Sequence, residues 1–195
     1  QVYLAMEFVE GATLRQWLTA QRRSWREVLG VFLRLAEGLQ GIHDLGLVHR
    51  DFKPDNVLID ARGRPRLIDF GLARRAGEAE PSFGATTQPD EASVDERLTV
   101  TGALIGTPRY MAPEQFEREP ATAASDQFAF CVALYEAVFG AEPFKGDSVE
   151  TRAKSVLRDE VRAPKARRGA PKELFGLIKR GMERRAEARW PSLKD

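Results

Sequence analysis

Residues Val2 to Val9 form a short, mostly apolar run that ends at Glu10-Gly11. A run of that length closed by a glycine predicts a buried strand leaving its sheet. Thr13 then precedes Leu14, Trp17 and Leu18, spaced as one face of a short amphipathic helix behind an N-cap, and Arg22-Arg23 suit its C-terminal end. After Ser24, the residues Val28, Phe32, Leu35, Leu39 and Ile42 recur at steps of four and three, one face of a longer helix that Gly46 stops. Leu47 to Asp60 and Arg66 to Phe70 read as short apolar strands around the turn Asp60-Ala61-Arg62-Gly63.

From Arg74 to Leu98 the pattern changes to Gly, Pro, Ala, Ser and Glu, with Phe83 the only aromatic, which predicts a segment without fixed structure. Regular patterning resumes at Ser125 to Phe139, a helix apolar nearly all round and therefore expected to be buried. Val149 to Leu157 and Glu173 to Met182 predict two more amphipathic helices, joined through a basic Pro/Gly linker at Ala163 to Pro171. There is no internal repeat and no heptad. The expected class is mainly α, α+β overall, with short β-hairpins. Trp17 and Trp25 read as helix-packing residues, Cys131 as a small core residue and His43 as a helix-end residue.

Composition narrows the partners. With 195 residues, 43% hydrophobic and 30% charged, the chain suits one globular domain or a large piece of one. Thirty Lys and Arg against 29 Asp and Glu leave +1, so no global charge draws it to nucleic acid or a membrane surface. The basic tract Arg162 to Lys172, with Arg184-Arg185, lacks interleaved aromatics and reads as a solvated face. The longest apolar helical stretch, Phe128 to Phe139, carries Glu136 and falls well short of the roughly 20 residues a bilayer span needs. The single cysteine, Cys131, excludes an internal disulfide and a cysteine-based zinc site, and suits a reducing, cytoplasmic setting.

The chemistry concentrates in two places. His49-Arg50-Asp51-Phe52-Lys53-Pro54-Asp55-Asn56 puts an acid, a cation and an amide within six positions just after a helix. Such a loop can hold a carboxylate near a hydroxyl, a Lys near phosphate oxygens and an Asn oxygen on a metal. Asp69-Phe70-Gly71 follows an apolar run and offers a second hard-oxygen ligand. Mg²⁺ prefers a few such oxygens plus nucleotide phosphates, and Asn56 with Asp69 meets that sparse requirement.

With Ala112-Pro113-Glu114 downstream, these segments resemble the catalytic loop, the metal-binding triplet and the activation-segment end of the eukaryotic-type (Hanks-type) serine/threonine protein kinases, in their bacterial form. Phe52 and Asp55 replace the commoner Leu and Glu with the same chemical type. The resemblance implies ATP and Mg²⁺ or Mn²⁺ as cofactors. It implies Asp51 as acceptor of the substrate hydroxyl proton, Lys53 against the transferring phosphoryl group, and Asn56 and Asp69 as metal ligands. Met6, Glu7 and Val9 would form the gatekeeper and hinge facing adenine, with Leu58 as the pocket floor. His49 and Phe70 would pack beneath the site, Asp126 would tie down the loop backbone, and Arg189 would pair with Glu114.

Lys53 and the Gly106-Thr107-Pro108 segment before Tyr110 point to the serine/threonine branch. Arg50 beside the catalytic Asp implies control by a phosphorylated loop residue, with Thr99, Thr101 and Thr107 as regulatory positions. The implied domains are a last N-lobe strand and hinge over 1–10 and a C-lobe over 11–195. The latter would contain a catalytic loop over 49–56 and an activation segment over 69–114, with a disordered insertion over 74–98. The chain opens Gln1-Val2-Tyr3-Leu4 and reads as starting inside a strand. No Gly-x-Gly-x-x-Gly occurs in it, so it is expected to be a C-terminal lobe that is inactive alone. Implied partners are ATP, proteins bearing Ser or Thr, and a second copy for autophosphorylation. A pseudokinase or scaffold lobe is the alternative from another class. A small-molecule phosphotransferase, which would lack the Ala112-Pro113-Glu114 segment, is a third.

Overall fold

A computed structural model of the chain describes residues 9–69, 74–75, 108–158, 161–164 and 169–195. Among the described residues the strands are β1 Gly11–Thr13, β2 Leu47–Val48, β3 Val57–Asp60, β4 Pro65–Leu67 and β5 Arg74–Arg75. The helices are α1 Leu14–Ala20, α2 Trp25–Asp44, α3 Pro113–Phe116, α4 Ala123–Phe139, α5 Val149–Leu157 and α6 Lys172–Gly181. Single 3-10 turns occur at Pro54–Asn56, Pro108–Tyr110 and Ala186–Ala188. The class is mainly α with small antiparallel sheets. No helix among the described residues is long and apolar enough to cross a membrane.

Helix α4 is the centre of the core. It packs between α2 and α6 and buries thirteen of its seventeen residues, Phe128, Val132 and Tyr135 completely. Phe130 meets Phe32 of α2 edge-on at 5.3 Å and tilts against Phe52 at 5.6 Å, so the helical core reaches directly under the loop that follows β2. Each buried Phe contributes roughly 1.5–3 kcal/mol relative to exposure. Gly140 ends α4 in the left-handed conformation at φ 65°, where glycine carries no Cβ penalty.

The helix starts follow their capping chemistry. Thr13, Ser24, Thr122 and Ser148 each accept a backbone N–H of the following turn through the side-chain oxygen. Arg22 and Arg23 lie past the end of α1, and Arg23 folds back on it. Its Nε donates to the Trp17 carbonyl at 3.4 Å and its guanidinium covers the Trp17 ring at 4.1 Å.

The strands depart most from expectation. Residues 2–8 of the first expected strand lie outside the described residues and Val9 is not in a strand. The strand forms beyond Glu10-Gly11, as β1 pairs antiparallel with β3. Gly11 is there for proximity: a Cβ would fall 2.3 Å from the Ile59 carbonyl oxygen. The apolar run Leu47 to Asp60 splits into β2 and β3, because Pro54 and the polar residues around it turn the chain through a 3-10 turn. The second strand runs Pro65–Leu67 and pairs with β3, ending before Phe70, which lies outside the described residues. Arg74–Arg75, expected to lack structure, pairs antiparallel with β2, while 76–98 are outside the described residues.

Candidate active site

The loop after β2 is held from below by one carboxylate. Asp126, in the first turn of α4 and 1% exposed, accepts the His49 N–H on Oδ2 and the Arg50 N–H on Oδ1, both at 2.8 Å. A third donor reaches Oδ2 from α2, His43 Nε2 at 2.8 Å. Arg50 sits at φ 71°, a conformation costing a bulky residue about 1–3 kcal/mol, and the Asp126 clamp on its N–H offsets that strain. His49 is fully buried, its Nε2 3.2 Å from the Ile68 carbonyl and its ring edge-on to Phe52 at 6.4 Å. Phe52, 1% exposed, anchors the loop in the core.

Above that anchor, Asp51, Lys53 and Asn56 converge. Lys53 Nζ donates to Asp51 Oδ2 at 2.6 Å, and Asn56 Nδ2 donates to the same oxygen at 3.0 Å and to the Asp51 carbonyl at 2.8 Å. Both side-chain bonds fall on Oδ2, so among the described residues Asp51 Oδ1 has no donor. Asn56 directs only its Nδ2 into the protein, and its Oδ1 accepts nothing from the described residues. The Asn56 residue is only 7% exposed, and its amide oxygen is chemically suited to a hard cation.

Asp69 is placed by its neighbour. Ile68 donates its N–H to the Asn56 carbonyl at 3.0 Å and presents its own carbonyl to His49, so the backbone just before Asp69 is tied to the loop on both sides. Asp69 itself is exposed and lies at φ 64°. Among the described residues no three His, Cys, Asp or Glu side chains cluster as a cation cage. The available set is one carboxylate and one amide, the donors that suit a cation whose remaining ligands are phosphate and water.

Leu58 lies in β3 opposite Thr13 and Arg66, half-buried, on the strand face away from the buried Val57 and Ile59. Val9 is half-buried just before β1. Met6, Glu7, Phe70, Thr99, Thr101 and Thr107 lie outside the described residues.

Glu114 and Arg189 meet as a buried bidentate pair, with both N···O distances 2.8 Å. Ser125 adds a hydroxyl donor to Glu114 Oε1 at 2.7 Å. The carbonyls of Glu183, Ala124 and Arg184 take the remaining Arg189 N–H groups, so all five guanidinium hydrogens have acceptors. Burial alone would raise the Glu114 carboxyl; the Arg189 guanidinium and the Ser125 hydroxyl outweigh it and hold it below its ordinary value. The pair pins the chain after the 3-10 turn Pro108–Tyr110 against the start of α4.

Three participants have no local signal in the sequence. His43 sits at the end of α2 as its sequence position suggests, but its ring also serves the loop through Asp126, 83 positions away. Arg15 forks onto Asp55 with two 2.7 Å bonds and touches the Tyr110 hydroxyl at 3.2 Å. The bond from Arg15 holds the Asp55 carboxyl below its usual range. Tyr110 in turn donates to Glu136 at 2.9 Å, and burial together with that carboxylate pushes its phenol up to about 12. Only spatial assembly brings these groups together.

A family model described as protein kinase domain matches residues 1–192. The serine/threonine-protein kinase PknH of Mycobacterium bovis is 33% identical over 202 residues, covering all of this chain and 30% of the relative. The serine/threonine-protein kinase PknE of Mycobacterium tuberculosis is 30% identical over 196 residues, covering all of this chain and 32% of that protein. The chain thus spans about a third of the length of these curated relatives. A match across nearly its whole length, and relatives of this similarity on top of it, make the chain a member of the protein kinase domain family.

Proposed function

We propose that the protein carrying this chain transfers the γ-phosphoryl group of ATP to serine and threonine hydroxyls of proteins. The observation that carries the reading is the Asp51–Lys53–Asn56 arrangement, in which Asp51 Oδ2 is occupied by two donors while Asp51 Oδ1 and Asn56 Oδ1 have no partner among the described residues. Asn56 and Asp69 would hold Mg²⁺ or Mn²⁺, and the metal nucleotide, when bound, supplies the phosphoryl group and neutralises its charge. Asp51 Oδ1 accepts and orients the proton of the substrate hydroxyl. Lys53, resting on Asp51, is positioned to move onto a phosphoryl oxygen as charge develops there. Asp126, through the His49 and Arg50 amides, keeps the loop in its one productive shape. Met6, Glu7, Val9 and Leu58 are the residues we assign to adenine, and ATP as donor puts the reaction on the cytoplasmic side.

Control belongs to the same reading. Arg50 is the docking point for a phosphate on Thr99 or Thr101, added by a second copy, and Thr107 lies in the stretch that this phosphate would order. The 195 residues hold no Gly-x-Gly-x-x-Gly phosphate loop, so they transfer phosphate poorly by themselves. The test is radiolabel transfer from ATP to a generic Ser/Thr protein substrate by the full-length protein and its Asp51→Asn variant. The variant should retain its circular dichroism and lose at least about a hundredfold in rate, the usual weight of a positioned acid–base group. Nucleotide binding without any transfer by the parent protein would overturn the proposal and favour a scaffold role.

A further inference from the structure

One residue along from Lys53, at Pro54, begins a cleft of about 450 Å³ between α1, the turn Pro108–Tyr110 and the end of α4. Its charged lining is Arg15, Arg22, Arg23, Arg109, Glu136 and Glu142. Both acids are already paired with groups of the same chain. Glu136 takes Arg109 Nε on Oε1 at 2.7 Å and the Tyr110 hydroxyl on Oε2 at 2.9 Å. Glu142 takes Arg109 Nη1 at 3.2 Å and Arg152 Nη1 at 3.1 Å, one on each oxygen. Asp55, which follows the lining residue Pro54, has both oxygens on Arg15. Every carboxylate oxygen here already faces an arginine or tyrosine of the same chain.

Two of the cations are less fully used. Arg22 is exposed and makes no ion pair with the described residues, and Arg15 keeps its Nη1 clear of Asp55. Arg23 sits over the Trp17 ring and gives its N–H groups to the Trp17 carbonyl and the Gln21 amide oxygen, both neutral, with the nearest carboxylate, Glu27, at 3.9 Å, so its charge is not neutralised by a close acid. A lysine or arginine entering this cleft would lose water and meet guanidinium groups first, with no unengaged acid to replace its hydration. An anionic side chain would meet guanidinium N–H groups in the fork geometry that suits carboxylate and phosphate.

We propose that this cleft receives an anionic side chain of the protein substrate, a few residues from the acceptor hydroxyl, and so selects acidic over basic sequences. The proposal rests on the kinase reading for the word substrate. The occupant is defined by its negative charge, as Asp or Glu or as a phosphorylated residue.

The test uses threonine peptides carrying Glu, phosphoserine or Lys at each flanking position in turn, phosphorylated by the full-length protein. At one or two positions the Glu peptide should exceed the Lys peptide in kcat/KM by about tenfold, the weight of one charge-assisted hydrogen bond. Arg22→Glu, and separately Arg23→Glu, should bring that ratio to one or below; as a ratio within each variant it is insensitive to any general loss of activity. A phosphoserine peptide that surpasses the Glu peptide assigns the cleft to phosphate, and equality assigns it to carboxylate; either supports the inference. Ratios near one at every position, or ratios unmoved by both variants, overturn it and leave the kinase reading standing. If no peptide is phosphorylated the kinase reading falls, and fluorescence anisotropy with the Glu and Lys peptides decides the cleft alone. Tighter Glu binding that Arg22→Glu abolishes supports an anion site, and equal dissociation constants overturn it.

Discussion

His43 Nε2 lies 2.8 Å from Asp126 Oδ2, with the two side chains 5% and 1% exposed. One end of α2 is thereby bonded to the start of α4, through the same oxygen that holds the His49 amide. The loop that presents Asp51 is therefore not positioned by its own residues alone. Its shape is set by a carboxylate whose third donor comes from a different helix.

His43→Ala removes that donor and leaves a buried carboxylate with two backbone partners. The expected loss is about 1–3 kcal/mol of unfolding free energy, read by urea denaturation. A purely structural role would stop there. As a positioning residue, His43 should also matter to turnover: kcat for peptide phosphorylation should fall in the folded variant with little change in peptide KM, and His43→Gln, which can still donate, should recover part of it. An unchanged kcat would reduce His43 to packing.

The Glu114–Arg189 pair makes a pH-dependent contribution of known sign. Glu114 is held below its ordinary value of 4.5, so its deprotonated form binds the fold better than the unfolded chain does. Its stabilisation is complete above about pH 4.5 and is lost as pH falls through the lower folded value. Glu114→Gln strands the Arg189 charge in the core and should cost about 3–5 kcal/mol at pH 7. The difference between parent and variant should shrink progressively below pH 4.5, measured as chemical-denaturation midpoints against pH. A difference constant from pH 7 to pH 3 would show that charge pairing is not what holds the two segments together.

Much of this was legible in the linear pattern, because helix faces and caps are local. The spacing from Val28 to Ile42 marks the buried face of α2, and the amphipathic stretch Val149 to Leu157 matches α5 at both ends. Asp51, Lys53 and Asn56 could be singled out together because they lie within one short loop. The strands were harder. An apolar run cannot show that its middle will turn through Pro54–Asn56, and the closeness of β1 to Ile59 that requires Gly11 is a property of the partner strand. Arg15, Arg109 and Glu136 were invisible for the same reason. Each reads alone as an ordinary surface charge, and the network they form spans three separate elements.

Asn56 is expected to act on the metal through an oxygen that no described residue uses. Asn56→Ala deletes that oxygen together with the Nδ2 bonds to Asp51. Rate against Mg²⁺ concentration should shift to about tenfold higher half-saturation, as loss of one hard ligand from a sparse site implies. Asn56→Asp keeps an oxygen but replaces a donor to Asp51 with a like charge, so it should recover Mg²⁺ affinity more than turnover. Identical Mg²⁺ profiles for all three proteins would remove Asn56 from the metal site.

Gly181 closes α6 against α4, where a Cβ would stand 2.3 Å from the Cys131 sulfur and 3.3 Å from its Cβ. In an unobstructed helix position, Gly→Ala would stabilise by about 1 kcal/mol. Here the sign reverses, because the Cys131 side chain is 6% exposed and has little room to swing away. Gly181→Ala is expected to cost about 1–3 kcal/mol through overpacking. Cys131→Ala removes the sulfur and leaves only the milder contact, so Gly181→Ala made in that background should be close to neutral. The coupling is measured by a double-mutant cycle in urea. A second readout comes from the thiol, which burial pushes up to about 12: it should resist a thiol reagent in the native parent. In Gly181→Ala it should react faster, at the rate at which α6 lifts from α4. Additive free energies together with an unchanged thiol rate would mean that α6 accommodates the methyl by shifting as a rigid body.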